Sequence, residues 1–189
     1  MTGVLLIGAG GHAKAVAEAA DAVLGGIAAY VDGRSAPWLA SRRIDSDEAA
    51  LEEDFPIVMG MGAVTCDALA RRLAVFERYA ARHSAPPLVH PEGKVSRSAA
   101  LGAGAIVLAG AVVQPGAVIG RAAIVNTRAV VEHDCKIGDG VHVAPGAVVL
   151  GGVAIGRCAM IGAGAVVLPG AQVPENALVP ALTRFGGKA

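Results

Sequence analysis

The chain has 189 residues with 16 basic and 16 acidic side chains, hence no formal net charge and no basic stripe of the kind that holds nucleic acid. Hydrophobic residues make up 54% but aromatic ones only 3%, so the core must be assembled from small aliphatic side chains. No apolar run reaches the ~18 residues that a membrane span needs, the apolar start has no basic leader, and Cys66, Cys135 and Cys158 lack metal-ligand spacing; the expectation is a cytoplasmic protein with reduced thiols.

In chain order, VLLIGAGGHAKAVAEAA reads as a buried strand, a turn through Gly8, Gly10 and Gly11, and a helix opening near His12. GIAAYVD is a second strand ending at Asp32. Phe55–Gly62 is a third, followed by a helix from about Thr65 to Arg82. Strands alternating with helices predict a small parallel, Rossmann-like α/β sheet, placed in residues 1–84. The glycines allow a phosphate to approach a helix N-terminus, and Asp32, 22 residues after Gly10, is spaced to hold a ribose hydroxyl. The same glycines also suit a bare turn, because position 13 is Ala and the fingerprint is incomplete. The segment is too short for a full dinucleotide fold, so a mononucleotide or nucleotide sugar fits better than NAD. His83 to Val95 is a Pro-rich join.

From Val95 to Val179 every sixth residue is aliphatic, at fifteen positions without an insertion. Four residues after each comes a small one: eleven alanines between Ala99 and Ala177, with Cys135, Val141 and Val153. An α-helix has no use for a period of six, since ~3.6 residues per turn would carry the stripe around the cylinder. Short strands joined at corners do use it, and the "PG" and "AG" pairs fall where those corners belong. This spacing resembles the hexapeptide-repeat acyltransferases. The resemblance implies that residues 85–189 form a left-handed parallel β-helix of somewhat under five coils, with residues eighteen apart in one column.

Ile106, Val112, Val118, Ile124, Val130, Val148, Met160 and Val166 then point outward, and such an apolar exterior predicts an interface. The resemblance makes the assembly a homotrimer with its sites between neighbouring helices.

Within VVEHDCKIGDGVHVAPGAVVL the aliphatic text breaks for Glu132, His133 and Asp134, with His142 nine residues on. His133 falls on a corner, stacked with Pro115, Gly151 and Pro169, small or rigid residues that leave room for an imidazole. Asp134 is placed to orient that ring. Corners are exposed and take polar residues readily, but only this one gathers Glu, His and Asp. His142 takes an outward strand position between Ile124 and Met160, where it serves either as a structural residue or as a contact to a neighbouring chain's ligand. Cys135 falls inward and reads as core, not nucleophile. Gly138, five residues after His133, breaks the histidine spacing of a zinc-dependent coil, so no metal is expected.

A glycine-turn half followed by NTRAVVEHDCKIGDGVHVAPG, Asn126 to Gly146, is similar to the NeuD/PglD family of bacterial sugar acetyltransferases. The resemblance implies transfer of acetyl from acetyl-CoA to a sugar amine or hydroxyl. It makes His133 the general base and Asp134 its partner. It places His142 near the thioester, with Gly151 and Ala163 along the CoA groove. His12 and Asp32 fall at the sugar-nucleotide end, with Gly8, Gly10, Gly11 and Asn126 on the substrate side. A base of this kind is worth roughly 10²–10⁴-fold, and the oxyanion needs a donor from His142 or a backbone N–H; no acyl-enzyme is required. The tail NALVPALTRFGGKA lacks the GVPAK-like close common in the family, which implies fewer C-terminal contacts to the CoA nucleotide. The expected acceptor is the amino group of a UDP-linked 4-amino-dideoxy sugar. The alternatives are O-acetylation of a sialic-acid-type hydroxyl and a non-catalytic nucleotide-sugar-binding scaffold.

Overall fold

The structure is a computed structural model and describes residues 3–187. Its first part is a parallel four-stranded sheet of β1 (Val4–Ile7), β2 (Ile27–Val31), β3 (Arg42–Ile44) and β4 (Ile57–Met59), in the order β3-β2-β1-β4. Helices α1 (Gly11–Val23), α2 (Asp47–Leu51) and α3 (Cys66–Ala80) connect and cover it. The central strand β1 is wholly buried, as its unbroken VLLI text requires. Ser46 and Thr65 cap α2 and α3 by accepting the N–H groups of Ala49 and Ala68. The sequence predicts neither β3 nor α2. The third strand is shorter than the predicted Phe55–Gly62, although the Pro56 carbonyl and the Gly60 N–H still bond to β1 on either side of it.

The second part is a parallel solenoid of two-residue strands that stack on three faces, five on one and six on each of the others, consistent with a left-handed β-helix. The aliphatic hexad is its interior: Val107, Val125, Val131, Val143, Val149, Ile161 and Val167 are fully buried, with the intervening alanines beside them. The coil is longer than the hexad count predicts, since Leu88–Val89 already pairs with Ile106–Val107, and Arg184–Phe185 adds a last strand on Val166–Val167. The carboxyl-terminal segment therefore contributes to the ladder as far as Phe185; Lys188 and Ala189 lie outside the described residues.

Every sixth residue from Gly104 to Leu182 has a positive φ, which is how each corner is turned. Asp134 occupies one of these positions at φ 60°, a conformation that Asp tolerates better than most L-residues.

The outward residues do not form one contiguous surface. Leu88, Ile106, Ile124, His142, Met160 and Leu178 line up on one face, here called the histidine face. The amino-terminal sheet and helices cover it as far as Met160, so that Ile106, Leu108, Ala144 and Met160 join their core, while Leu178 stays 57% exposed. Lys94, Val112, Val130, Val148, Val166 and Arg184 form a second, valine face. Val118, Lys136, Ala154 and Gln172 belong to the third, where Val118 is 49% exposed. Part of the exterior expected to bind a neighbour is thus buried by the chain itself. Among the described residues no helix is long and apolar enough to cross a membrane.

Candidate functional site

At the carboxyl ends of β1 and β4, Gly8 takes φ +84°, and a Cβ there would come within 2.5 Å of the Met61 side chain. The turn can therefore close only on glycine. It feeds directly into α1, whose N-cap Gly10 has no side-chain cap, and any Cβ on Gly10 or Gly11 would meet open space. The free N–H groups of this 13-residue helix make a ready anion site.

Asp32 closes the turn from β2, accepting the Ala9 N–H at 2.8 Å and the Arg34 N–H at 2.9 Å. Burial pushes its carboxyl up, but these donors and the Arg34 and Arg43 charges outweigh that, and the net shift is downward. Gly8, Gly10, Gly11, His12, Asp32, Gly60, Met61 and Gly62 line a groove of about 300 Å³.

His12 and Gly62 also line a second cleft of about 430 Å³, whose other walls include Ala63, Val64, Asn126, His142, Met160 and Ala163. The groove at the glycine turn and the His142 cleft therefore share a wall, made by His12 and Gly62. Residues called from separate stretches of sequence meet here: His12 from α1, His142 from a coil strand, Asn126 and Ala163 from the corner that follows the histidine face. The loop residues Gly62, Ala63 and Val64 complete the cleft, and nothing in the sequence marks them, because a backbone carbonyl such as that of Ala63 has no side-chain signature.

His142 is held on both sides. Its Nδ1 lies 2.7 Å from the Ala63 carbonyl, and its Nε2 lies 2.9 Å from the Asn126 amide nitrogen. The Asn126 oxygen accepts the Thr127 N–H, which fixes the direction of the amide. Nδ1 therefore carries the proton and donates to Ala63, while Nε2 accepts. Burial lowers the His142 pKa and the Arg72 charge adds to this, against the opposing pull of the Ala63 carbonyl. Since Nε2 accepts from Asn126, it does not donate to an oxyanion, contrary to one expectation from sequence. Asn126 is first of all the holder of His142. His12 is pushed down to about 4 by burial, by Arg72 and by His142, and its buried Nε2 has no partner among the described residues. Both rings in the cleft are neutral near pH 7.

His133 stands elsewhere. It sits on the corner between the valine and third faces, opposite the histidine face, with its side chain 63% exposed. Its Nδ1 lies 2.9 Å from the Asp134 carboxylate, an arrangement made by the left-handed backbone of Asp134, which itself donates its N–H to Pro115. A Cβ on Gly151 would come within 2.5 Å of His133 Nε2, so this glycine gives the ring its space. The Gly151 carbonyl is taken by the Gly170 N–H. Cys135 is buried in the core, its thiol pushed up by burial. The structure thus joins His12, Asn126, His142 and Ala163 in one cleft, and His133, Asp134 and Gly151 on one corner. It does not bring those two groups together within a chain.

The comparisons agree with this architecture. The bacterial transferase hexapeptide model (six repeats) matches residues 116–151 and 134–169. No curated protein matches the chain in sequence. Among solved structures, the acetyltransferase domain of PglB from Neisseria gonorrhoeae is 34% identical, with 98% of this chain and 92% of that one covered and a TM-score of 0.87. The same domain in complex with acetyl coenzyme A is 32% identical over 95% of this chain and 96% of that one, with a TM-score of 0.82. A mutant of perosamine N-acetyltransferase from Caulobacter crescentus, in complex with CoA and GDP-perosamine, is 31% identical over 98% and 89% of the two chains, with a TM-score of 0.88. With its coil, its glycine-turn sheet and these relatives, the chain belongs to the sugar acetyltransferases of the hexapeptide-repeat superfamily, the NeuD/PglD type that its sequence resembles.

Proposed function

We propose that the protein transfers the acetyl group of acetyl-CoA to the amino group of a nucleotide-linked 4-amino-dideoxy sugar. The observation that carries this reading is that the groove at the α1 N-terminus adjoins the His142–Asn126 cleft across a shared wall of His12 and Gly62. A diphosphate at the free N–H groups of α1, with a ribose hydroxyl on Asp32, extends the sugar toward His142. The apolar walls of the cleft, Val64, Met160 and Ala163, suit the acetyl end of the thioester.

His133 is the general base. Its Nδ1–H on Asp134 leaves Nε2 as the proton acceptor, above the space kept by Gly151. As the sugar nitrogen attacks the thioester carbonyl, His133 takes its proton; the C–S bond of the tetrahedral intermediate then breaks, and the CoA thiolate leaves with that proton returned to it from His133, with no acyl-enzyme. A backbone N–H or the Asn126 amide supplies the donor for the oxyanion. This chemistry requires a neighbour, because His133 lies on the corner opposite the cleft. In a homotrimer packed through the half-buried row Val112, Val130, Val148 and Val166, His133 of one copy faces the cleft of the next. No metal takes part.

UDP is the nucleotide that the sequence reading favours; GDP is the second reading, supported by the relative in complex with GDP-perosamine. The test is CoA release with acetyl-CoA and UDP- or GDP-linked 4-amino-4,6-dideoxy sugar, beside His133→Ala. Release that is lost in the variant supports the proposal, and the better acceptor identifies the nucleotide. Release only with sialic acid would move the assignment to O-acetylation. Acetyl-CoA binding without release on any acceptor would leave a scaffold.

A further inference from the structure

Helix α3 presents the stripe Leu69, Leu73 and Phe76 to the core, and Arg72 lies within it, 0% exposed. A guanidinium buried so deeply is costly unless its donors are used. No carboxylate among the described residues pairs with it. Its Nε donates to the Met61 carbonyl at 2.8 Å, and its Nη1 donates to the Ala122 carbonyl, while Nη2 has no partner. Those two acceptors come from different parts of the fold. Met61 opens the loop whose Ala63 carbonyl holds His142 Nδ1, and Ala122 turns the coil corner that leads into the strand of Ile124, His142's neighbour on the ladder. If the junction needed only filling, an aliphatic residue of similar volume would serve with less desolvation. What an aliphatic residue lacks is the fork that fixes one carbonyl from each side.

We infer that Arg72 is a positioning residue for acetyl transfer, clamping the Met61–Ala63 loop to the coil so that Ala63 holds His142 in its Nδ1–H, Nε2-acceptor orientation. This rests on His142 belonging to the reacting cleft. The groups that face His142 are Arg72 from α3 and His12 from α1, with the uncharged Asn126 from the coil and the Ala63 carbonyl from the loop; Cys158 lies beside Arg72. Among the described residues no acidic side chain faces it, so the Arg72 charge acts on the cleft uncompensated and opposes protonation of both imidazoles.

The test reads His142 first and turnover second. In ¹⁵N imidazole spectra of the full chain, with the resonance assigned through His142→Gln, the wild type is expected to show one tautomer at His142, with the proton on Nδ1. In Arg72→Met both tautomers appear, protonation moves to higher pH, and kcat for CoA release falls about tenfold or more while KM for acetyl-CoA changes less than about threefold. Arg72→Lys keeps the charge but has no fork, reaches one carbonyl, and lies between the two. Folded Arg72→Met with tautomer and kcat unchanged overturns the inference. Should that variant fail to fold, folded Arg72→Lys with both unchanged does so equally. The spectra need no turnover, so a wild type that releases no CoA would count against the proposed function while leaving this inference tested.

Discussion

His133 and His142 lie nine residues apart in one repeating coil and have opposite surroundings. His133 stands on an open corner, tied only to the carboxylate next to it in sequence. His142 is buried beneath the chain's own amino-terminal domain, with both ring nitrogens engaged and its pKa depressed. A base must accept a proton and release it, so exposure and a free Nε2 suit His133 to that work. A fixed neutral ring defines a cleft instead. The comparison teaches that the solenoid supplies equivalent slots and that whatever covers a face decides what a histidine there can do. Under the proposed function the site is built in halves, one from each of two copies.

The largest expected effect separates the two rings. His133→Ala should lower kcat for CoA release by about 10²–10⁴-fold, with nucleotide-sugar affinity by calorimetry hardly changed. His142→Ala should weaken affinity as well as kcat, because it opens the cleft. Equal losses of kcat with identical affinities in the two variants would break the contrast.

Acid comes next. His12, and in the same direction His142, bind protons less readily folded than unfolded. The unfolded chain therefore holds the extra protons, and stability rises with pH through this range. It is complete above about pH 6.5 and is lost as pH falls toward about 4, with His12 alone worth about 3 kcal/mol. Urea unfolding at pH 7 and pH 5 should show the loss, and His12→Asn should flatten it. A slope unchanged in that variant would remove His12 from the account.

Asp134 gives a smaller and more diagnostic effect. Asp134→Gly relieves a left-handed residue, so stability should hold or rise by up to about 1 kcal/mol, read as an unchanged or higher midpoint of thermal unfolding, while kcat falls. A parallel loss of both would make Asp134 a corner residue and nothing more. Smallest is Glu77→Gln, which breaks the exposed pairs of α3 with Arg121 and Arg157 on the coil. The expected cost is below about 1 kcal/mol and disappears in 1 M salt, as unfolding in low and high salt would show.

The coil was legible in the sequence because every strand fills the same slot with the same kind of residue. Its two ends were less so. Val89 keeps the hexad register but sits between Pro87 and Pro91, and Phe185 keeps it as an aromatic among aliphatics. In the amino-terminal sheet, β3 was hidden because only Ile44 of Arg42–Ile44 is buried, and α2 because it buries Ala50 alone. The corner of His133 and Asp134 announced itself as a polar break in an apolar text. The cleft around His142 did not, since its Ala63 carbonyl has no signature in sequence. Arg72 left one faint mark, a charge inside an otherwise apolar helical stripe, and the folding of the face onto its own domain concealed the rest.

In the proposed homotrimer each site takes His133 from one copy and His142 from the next. The direct test is to mix inactive His133→Ala and His142→Ala chains by co-refolding and to measure CoA release. Activity is expected to return, to about a quarter of the wild-type rate for random trimers at equal proportions. A mixture as inactive as its parents, with trimers formed, would contradict it and place both histidines in the site of a single chain.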